Sequence, residues 1–263
     1  MSDTGEQQKL RLGGMALGNG LLVHGPTHWA AAIRTRDGEI RTASGPKPRV
    51  KGLDNVPAAR GVARLAEAFV VIPLVKRALP QARLPLESGT VLAATVGTMA
   101  AGAVLKRRGG VAGEAAAAGI SILPALVALR SGELAAYHGV EHKAIAAYEQ
   151  DGDAADAAKE HDRCGSNLVL PMLVSNVAGA ALLKRLVARP GPLAGGAVAL
   201  ASAGVAVEAF IWAERNADTP TARAFRRPGY ELQRAMGTRE PTPEQLEVGR
   251  AALEEILRVE GAA

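Results

Sequence analysis

Two histidines and a glutamate lie close together in the run Tyr137-His-Gly-Val-Glu-His-Lys143, with H-x-x-E-H spacing. On an α-helix, residues three and four positions apart share one face, so His138, Glu141 and His142 would converge on one point in space. Two imidazoles bind divalent metal ions, and a carboxylate beside them can act as a base. The spacing therefore predicts a divalent metal site, with zinc as the expected ion.

Further possible metal ligands follow this motif. Glu149 lies on the same predicted helix face, two turns after His142, and the next polar segment contains His161 and Cys164. Any of these three residues could supply a third protein ligand if the chain folds back, and the sequence leaves the choice among them open. Three of the five histidines fall between His138 and His161, a clustering that favours a site over scatter.

The same residues also have a purely structural interpretation. A motif with three fixed positions recurs by chance, and two histidines on one helix can hydrogen-bond to neighbouring groups without a metal ion. Cys164 alone would be read as a small buried hydrophobic side chain, and Glu149 alone as a solvated charge. The metal site is therefore a hypothesis that the structural context must test.

The residues around the motif predict the helix that it needs. Positions 133–149 contain no proline and one internal glycine, Gly139, whose cost of about 1 kcal/mol is outweighed by the helix-favouring Ala, Leu, Glu and Lys. The sequence Asp151-Gly152-Asp153 marks the end of the helix. Lys143 is expected to point away from the metal-binding face and to reach lipid headgroups.

Composition and charge narrow the class of protein. The net charge of +5 is spread along the chain and aromatic residues are only 3%, so the platforms for nucleic-acid binding are missing and no nucleic-acid partner is expected. One cysteine excludes an internal disulfide, which fits a reducing compartment. The polar first twenty residues indicate no secretory signal peptide.

The chain is expected to begin with a small β-rich unit over residues 1–60. Asp37-Gly38 between two apolar stretches predicts a β-hairpin, and Gly45-Pro-Lys-Pro-Arg49 predicts the loop that follows it. An amphipathic helix should occupy 61–87, with a kink at Pro73.

Four nearly uncharged apolar segments dominate the rest of the chain. They cover 88–105, 111–129, 166–183 and 193–213. Each has about the roughly 20 residues that cross a bilayer, and their small residues suit close packing between membrane helices. The sequence thus predicts a mainly α, multi-pass helical membrane protein, although a soluble bundle of buried helices is the alternative.

The spans divide the chain into expected regions. Membrane helix pairs cover 88–130 and 166–213, the motif segment covers 131–165, and a C-terminal tail with a last helix covers 214–263. Thr242-Pro243-Glu244-Gln245 predicts the start of that last helix. Four spans leave both termini and the motif segment on one side of the cell membrane, which we take to be the cytoplasmic side.

With these pieces in place, the chain resembles the YqhQ-like family (domain of unknown function 1385), bacterial membrane proteins described as predicted metal-dependent enzymes. The shared motifs are Gly13-Gly14, His24-Gly25-Pro26, Asp37-Gly38-Glu39-Ile40, Tyr137-His138-Gly139, Glu141-His142-Lys143, Tyr148-Glu149, Arg163-Cys164-Gly165-Ser166 and Gly237-Thr238-Arg239-Glu240-Pro241. The chain departs from the family at Asn19, where glutamate is usual, at His24, where arginine is usual, and at Asp162, where proline is usual.

Two functions from different classes remain open at this point. The first is a metal-dependent hydrolase in or on the membrane, in which His138 and His142 bind the ion, Glu141 acts as general base and Arg163 stabilises an anionic group. The second is a non-enzymatic scaffold or transport-related protein with a structural metal or a polar cluster. Glu114 and Glu208, within the apolar segments, would favour ion transport if both faced the interior.

Overall fold

The computed structural model describes residues 9–262 except 51, 54, 58, 109, 188 and 189. The first eight residues, which contribute to the expectation of no secretory signal peptide, lie outside the described residues. The elements are β1 (Gly13–Leu17), β2 (Gly20–His24), β3 (His28–Arg34), β4 (Ile40–Pro46), α1 (Ala59–Ala78), α2 (Gly89–Arg108), α3 (Gly110–Ile120), α4 (Leu123–Leu129), α5 (Glu133–Gln150), α6 (Val169–Leu186), α7 (Pro192–Arg215), α8 (Pro220–Leu232) and α9 (Pro243–Glu260).

The N-terminal unit is a four-stranded antiparallel sheet in the order β1-β2-β3-β4. Gly38 lies in the turn between β3 and β4 with a φ of +89°, which glycine adopts without strain, so the predicted hairpin is confirmed. The predicted start of the following loop is wrong, because β4 continues through Pro46 and Gly45 pairs with Trp29. Gly45 leaves room for the Trp29 indole, which an added Cβ would approach to 3.2 Å.

Both faces of this sheet are buried, each against a different part of the chain. In β2, Leu21 and Val23 belong to a core shared with α5 and α9, whereas Leu22 belongs to a second core with Val71 and Val75 of α1. Strand side chains alternate between faces, and for this reason a strand that is covered on both sides is apolar throughout. The sheet therefore supports α5, the helix that carries the metal motif, from one side.

The C-terminal helix α9 covers α5 and the sheet. It begins as predicted, with the Thr242 side chain accepting a hydrogen bond from the Gln245 backbone and the Gln245 side chain accepting one from Thr242 N–H. Gly249 lies against α5 so closely that an added Cβ would be 2.5 Å from Val140. The close packing of α5 against α9 therefore requires glycine at position 249.

Four helical windows are long and apolar enough to cross a membrane. They are Gly89–Arg107, Gly110–Leu129, Gly165–Leu186 and Leu193–Arg215. Only 6% to 17% of each window is buried, so apolar side chains face outward, as Met99 does with 71% exposure and Leu193 with 90%. Soluble proteins rarely leave so much contiguous apolar surface in water. The alternative of a soluble bundle with buried helices is thus disfavoured, and the windows suggest a membrane protein.

The second window is divided into two helices. α3 ends at Ile120, a turn follows, and α4 begins at Leu123. Pro124 is in the first turn of α4, where its missing N–H leaves no helical hydrogen bond unmade. The sequence predicts one continuous segment over 111–129, so the division into two helices is a correction to that prediction.

The two carboxylates that raised the ion-transport hypothesis are both paired with basic side chains. Glu114 is buried and lies 2.9 Å from Lys184 Nζ and 3.7 Å from Lys106 Nζ. Glu208 accepts two hydrogen bonds from the Arg60 guanidinium, at 2.7 and 2.5 Å. These pairs compensate the charge of each carboxylate, which favours fixed ion pairs over a path for mobile ions.

The exposed apolar windows generate the first prediction. The protein should stay in the membrane fraction after alkaline carbonate extraction and enter solution only with detergent, because about 20 apolar residues per window would otherwise contact water. The measurement is the partition of the full chain between pellet and supernatant. Recovery as a soluble monomer without detergent would contradict the membrane assignment.

The close contact between α5 and α9 generates the second prediction. Gly249→Leu should lower the free energy of unfolding by about 1–3 kcal/mol, because the larger side chain collides with Val140 and overpacks the core. The measurement is thermal unfolding of the detergent-solubilised protein. Arg250→Leu is the matched control, since position 250 is exposed on the same helix. Equal losses in the two variants would contradict the packing argument.

Candidate metal centre

The sequence predicts a helix over 133–149, and the structure has α5 at Glu133–Gln150. Asp151 follows in the left-handed conformation, with a φ of +53°, and ends the helix. The middle of α5 is buried between the sheet and α9, so its backbone is firmly held. This helix brings His138 and His142 to one face with their rings 4.4 Å apart.

Cys164 joins the two histidines from the segment before α6. Its Sγ lies 3.3 Å from His138 Nε2, and one ligand atom from each of the three residues can be chosen so that all lie within 4.8 Å of one another. His142 and Cys164 are buried, and His138 is half-buried. Among the described residues, these three form the group that could hold a metal ion.

Both histidines are oriented by hydrogen bonds from their other ring nitrogen. His138 Nδ1 lies 2.8 Å from the carbonyl oxygen of Gly237, and His142 Nδ1 lies 2.7 Å from that of Lys159. A carbonyl can only accept, so each Nδ1 carries a proton. The Nε2 atoms point into the cluster, where that of His138 contacts the Cys164 thiol at 3.3 Å. Histidines that bind metals almost always have such an outer acceptor. His142 Nε2 is buried, and within the described residues it has no hydrogen-bond partner.

Gly139 explains how a backbone carbonyl reaches His138. An added Cβ at this position would lie 2.3 Å from the carbonyl oxygen of Arg239, so the segment after α8 can cross α5 only over a glycine. Arg239 N–H donates to the carbonyl of Ala135 at 2.9 Å and fixes the crossing. Gly237 ends a π-helical turn just before this point. The internal glycine of the motif is therefore required for close approach.

Glu141 lies between the two histidines. Its Oε2 is 4.0 Å from His138 Nε2 and 3.9 Å from His142 Nε2. Burial raises the pKa of this carboxyl above its usual range, although His138 and His161 oppose the shift. Gly14 of β1 provides the space for it, because a Cβ there would lie 2.5 Å from Glu141 Cγ. The arrangement places a buried carboxylate beside the possible metal ligands.

The cluster offers the donor atoms that a zinc ion takes, once the thiol has lost its proton. Burial, with a contribution from His138, lowers the pKa of His142 to about 3, so its imidazole is neutral and ready to act as a ligand. Burial, with a contribution from Glu141, raises the pKa of the Cys164 thiol to about 11. Such a thiol loses its proton when a cation binds. The unpartnered Nε2 of His142 and this thiol are donors that zinc prefers.

Glu149 and His161, the other proposed ligands, form a separate polar group beside the cluster. His161 Nδ1 accepts from the backbone N–H of Arg163 at 3.2 Å, so its protonated Nε2 donates to Glu149 Oε2 at 3.3 Å. Glu149 also forms an ion pair with the Arg163 side chain. Their ligand atoms are thus committed to one another, and the His161 ring lies 5.8 Å from that of His142. Of the three alternatives, the structure brings Cys164 to the histidines.

The expectation for Lys143 is wrong. This side chain is 4% exposed, and its Nζ donates to the carbonyl oxygens of Ala155 and Ala157 at 3.1 and 2.7 Å and pairs with Glu240 at 2.7 Å. It therefore holds the loop after α5 against the helix, and it does not reach lipid headgroups. The sequence places it correctly away from the histidine face but gives no information on what covers that side.

A cavity of about 490 Å³ opens beside the cluster. Its wall includes His138, Glu141, His142, Cys164, His24 and Lys47. Both ring nitrogens of His24 are buried without a hydrogen-bond partner among the described residues. Burial and the charge of Lys47 lower the pKa of His24 to about 4, so this ring is neutral. The cavity is large enough for a small molecule next to the three possible metal ligands.

Asn19 and His24, the two N-terminal departures from the family pattern, lie at opposite ends of β2. Asn19 precedes the strand, where it donates to the carbonyl of Arg34 at 2.9 Å and accepts from Arg83 N–H at 2.8 Å. His24 is the last residue of β2 and lines the cavity. Five residues of strand span roughly 16 Å. The two side chains are therefore too far apart to act as a pair in this chain.

Several groups that contribute to the site could not be identified from the sequence. The carbonyls of Gly237 and Lys159 carry no side-chain signal, and Lys47 lies in a segment predicted as a loop. Gly14 and His24 belong to short motifs in the sequence, but their place at the cavity that Glu141 lines depends on how the sheet packs against α5.

Comparisons with known proteins support one family. The family model for Protein of unknown function (DUF1385) matches residues 132–259, which include α5, Cys164 and all of α9 except its last residue. Over 137 residues the chain is 31% identical to the uncharacterized protein YqhQ of Bacillus subtilis (strain 168). That stretch is 47% of this chain and 40% of the relative, so the chain spans about two fifths of the relative's length. No solved structure matches the chain.

The buried His24 ring generates the third prediction. Its pKa of about 4 lies below the ordinary 6.5, so between these values the unfolded chain binds a proton that the folded chain does not. Stability from this group is therefore lost as the pH falls, by about 2 kcal/mol between pH 7 and pH 5. His24→Gln should reduce the loss of thermal stability over this range, measured in detergent. An identical loss in both proteins would contradict the assignment.

Proposed function

From residue 132 to residue 259 the chain belongs to the DUF1385 family of unknown function, and on that premise we propose that it is a metal-dependent hydrolase at the membrane surface. The observation that carries the proposal is the state of His142. Its Nδ1 is bonded to a carbonyl, and its buried Nε2 faces the cluster with no partner in the described chain. A buried polar atom without a partner is costly, and a metal ion would remove that cost.

The residues proposed to hold the ion are His138, His142 and Cys164. Two nitrogens and one sulfur suit zinc, and catalytic zinc sites have three protein ligands and one position for water or substrate. When bound, the ion would supply Lewis acidity, which polarises a substrate oxygen and lowers the pKa of water to about 7. The adjoining cavity, which these three residues line, is where a substrate could approach.

Glu141 is proposed as the general base. Its carboxylate lies about equally far from both histidine Nε2 atoms, at 4.0 and 3.9 Å, which is close enough to accept a proton from a water molecule between them. Burial raises its pKa, and a more basic carboxylate is better suited to proton transfer near neutral pH. Gly14 leaves the space in which this side chain can stay close to the ligands.

Arg163 is proposed to stabilise negative charge on the substrate. Its guanidinium is positioned by Glu149, lies 3.7 Å from Glu214, and lines the same cavity as the metal ligands. A fixed guanidinium near developing negative charge stabilises it without reorganisation. The motif segment and the termini are proposed to be cytoplasmic, in keeping with a reduced Cys164.

A closed structural metal site is the second candidate. The nearly equal distances of Glu141 Oε2 from the two histidine nitrogens also suit a fourth ligand, and a fourth protein ligand would leave no position for water or substrate. In that case the metal would hold α5 to the segment that contains Cys164. The two candidates differ in what Glu141 does, which makes this residue the test.

The fourth prediction separates ligand from base. Purified protein should contain zinc, and His142→Ala should lose it, because two remaining ligands hold an ion poorly. Glu141→Gln should keep the metal but lower activity by roughly a hundredfold or more, since the amide cannot accept a proton. The measurements are metal content after detergent purification and complementation of a strain that lacks the gene.

His28→Ala serves as the control, since this histidine is not among the residues that line the cavity, and it should keep the metal. Loss of the metal in Glu141→Gln would favour the closed structural site. Full complementation by a metal-loaded Glu141→Gln protein would refute the catalytic role.

A further inference from the structure

A second cavity, of about 690 Å³, lies between α1 and α7 near the start of α6. Its wall contains six arginines, and Glu214 is the carboxylate among the lining residues. The arginines are Arg11, Arg60, Arg64, Arg163, Arg215 and Arg226. We refer to this space as the arginine cavity. Its excess of positive charge requires an explanation, because like charges in a confined space repel one another.

Neighbouring carboxylates compensate only part of this charge. Arg11 pairs with Glu214 at 2.7 Å, and Arg226 pairs with Asp162 at 2.8 Å. Arg60 and Arg163 are likewise held by glutamates. In the described part of the chain, the side chains of Arg64 and Arg215 have no hydrogen bond or ion pair, and both residues are exposed.

The uncompensated guanidiniums therefore face the open cavity, where they can take an anion from outside the chain. Guanidinium binds phosphate through two parallel hydrogen bonds, so phosphate is the anion that best fits such a wall.

The other part of the wall is apolar and belongs to the candidate membrane spans. It consists of Leu168, Val207, Phe210 and Ile211 together with Leu65 of α1. The window that begins at Gly165 and the window that ends at Arg215 both contribute to this wall, so the cavity lies at the ends of two candidate spans. Trp212, which is 44% exposed, is one residue further on, and tryptophan is typical of this boundary. The wall thus combines an apolar part, mostly from the candidate spans, with a cationic part made of arginine side chains.

We propose that the arginine cavity binds the anionic headgroup of a membrane phospholipid, with the lipid's acyl region against the apolar side. The two-sided wall matches an amphiphile better than a free anion, since an inorganic anion would leave the apolar side wet. Basic pockets between membrane helices bind the headgroups of anionic lipids in this way. Arg64 and Arg215 are the residues that contact the phosphate.

The position of Arg163 connects this cavity to the metal centre. Arg163 lines both cavities and follows His161 and precedes Cys164 in the chain. Because both cavities share Arg163, a lipid headgroup bound in the arginine cavity would lie beside the cavity of the candidate metal centre. An amphiphile with an anionic headgroup is therefore the substrate class, a conclusion that, unlike lipid binding itself, rests on the proposed function.

The fifth prediction tests binding with the full chain in detergent. Short-chain phosphatidylglycerol should bind more tightly than phosphatidylcholine of the same chain length, and inorganic phosphate should bind weakly. Replacing both Arg64 and Arg215 by glutamine should weaken phosphatidylglycerol binding by roughly thirtyfold, since each arginine near an anionic headgroup contributes about 1 kcal/mol. Calorimetric titration provides the affinities, and monodisperse elution verifies that the variant is folded.

The matched control replaces Arg36 and Arg250, two exposed arginines outside the cavity, by glutamine, with the same change in net charge. It should bind phosphatidylglycerol as the wild type does. The His142→Ala variant should also bind it normally, so a failed metal site and a failed lipid site are distinguished. Equal affinity for the two lipids, equal affinity for inorganic phosphate, or equal weakening in the control would each overturn the proposal.

Discussion

The candidate site depends on two hydrogen bonds that fix the histidine rings. His138 and His142 each give their Nδ1 proton to a backbone carbonyl, from Gly237 and Lys159 respectively. These bonds decide which nitrogen faces the cluster and leave both Nε2 lone pairs pointing to one place. Without them, the same spacing on a helix would supply two rings with undefined orientation. The acceptors are 99 and 17 positions away in sequence, so the site exists only when the whole domain is folded.

That orientation requires backbone to pack directly against α5. Glycines make this possible on several sides of the helix: Gly139 beneath the Arg239 carbonyl, Gly14 beside Glu141, and Gly249 beside Val140. At each of these positions a Cβ would lie within about 2.5 Å of another group. The sheet, α9 and the segment after α8 can therefore close around one helix. A rigid surrounding of this kind is what holds metal ligands and a nearby carboxylate in fixed relation.

Local features of the fold could be predicted from the sequence, and long-range contacts could not. The α5 helix, the start of α9 and the apolar windows follow from propensity, capping residues and hydropathy, all of which act over a few neighbours. The choice of Cys164 over Glu149 or His161 depends on how the chain returns after α5, and nothing in the spacing decides it. The prediction that Lys143 reaches lipid headgroups is wrong for the same reason, because the helix pattern gives no information on the loop that buries this side chain.

The distribution of charge acquires a different meaning once the chain is folded. The basic residues are scattered in sequence, and the net charge of +5 can be read as an excess of cations at helix ends. Folding gathers six arginines from separate segments at one cavity. Arg163 belongs to this group and, through Glu149, also to the polar group beside the possible metal ligands. A change in charge in one cavity must therefore alter the electrostatic potential in the other, because they share a guanidinium as a wall.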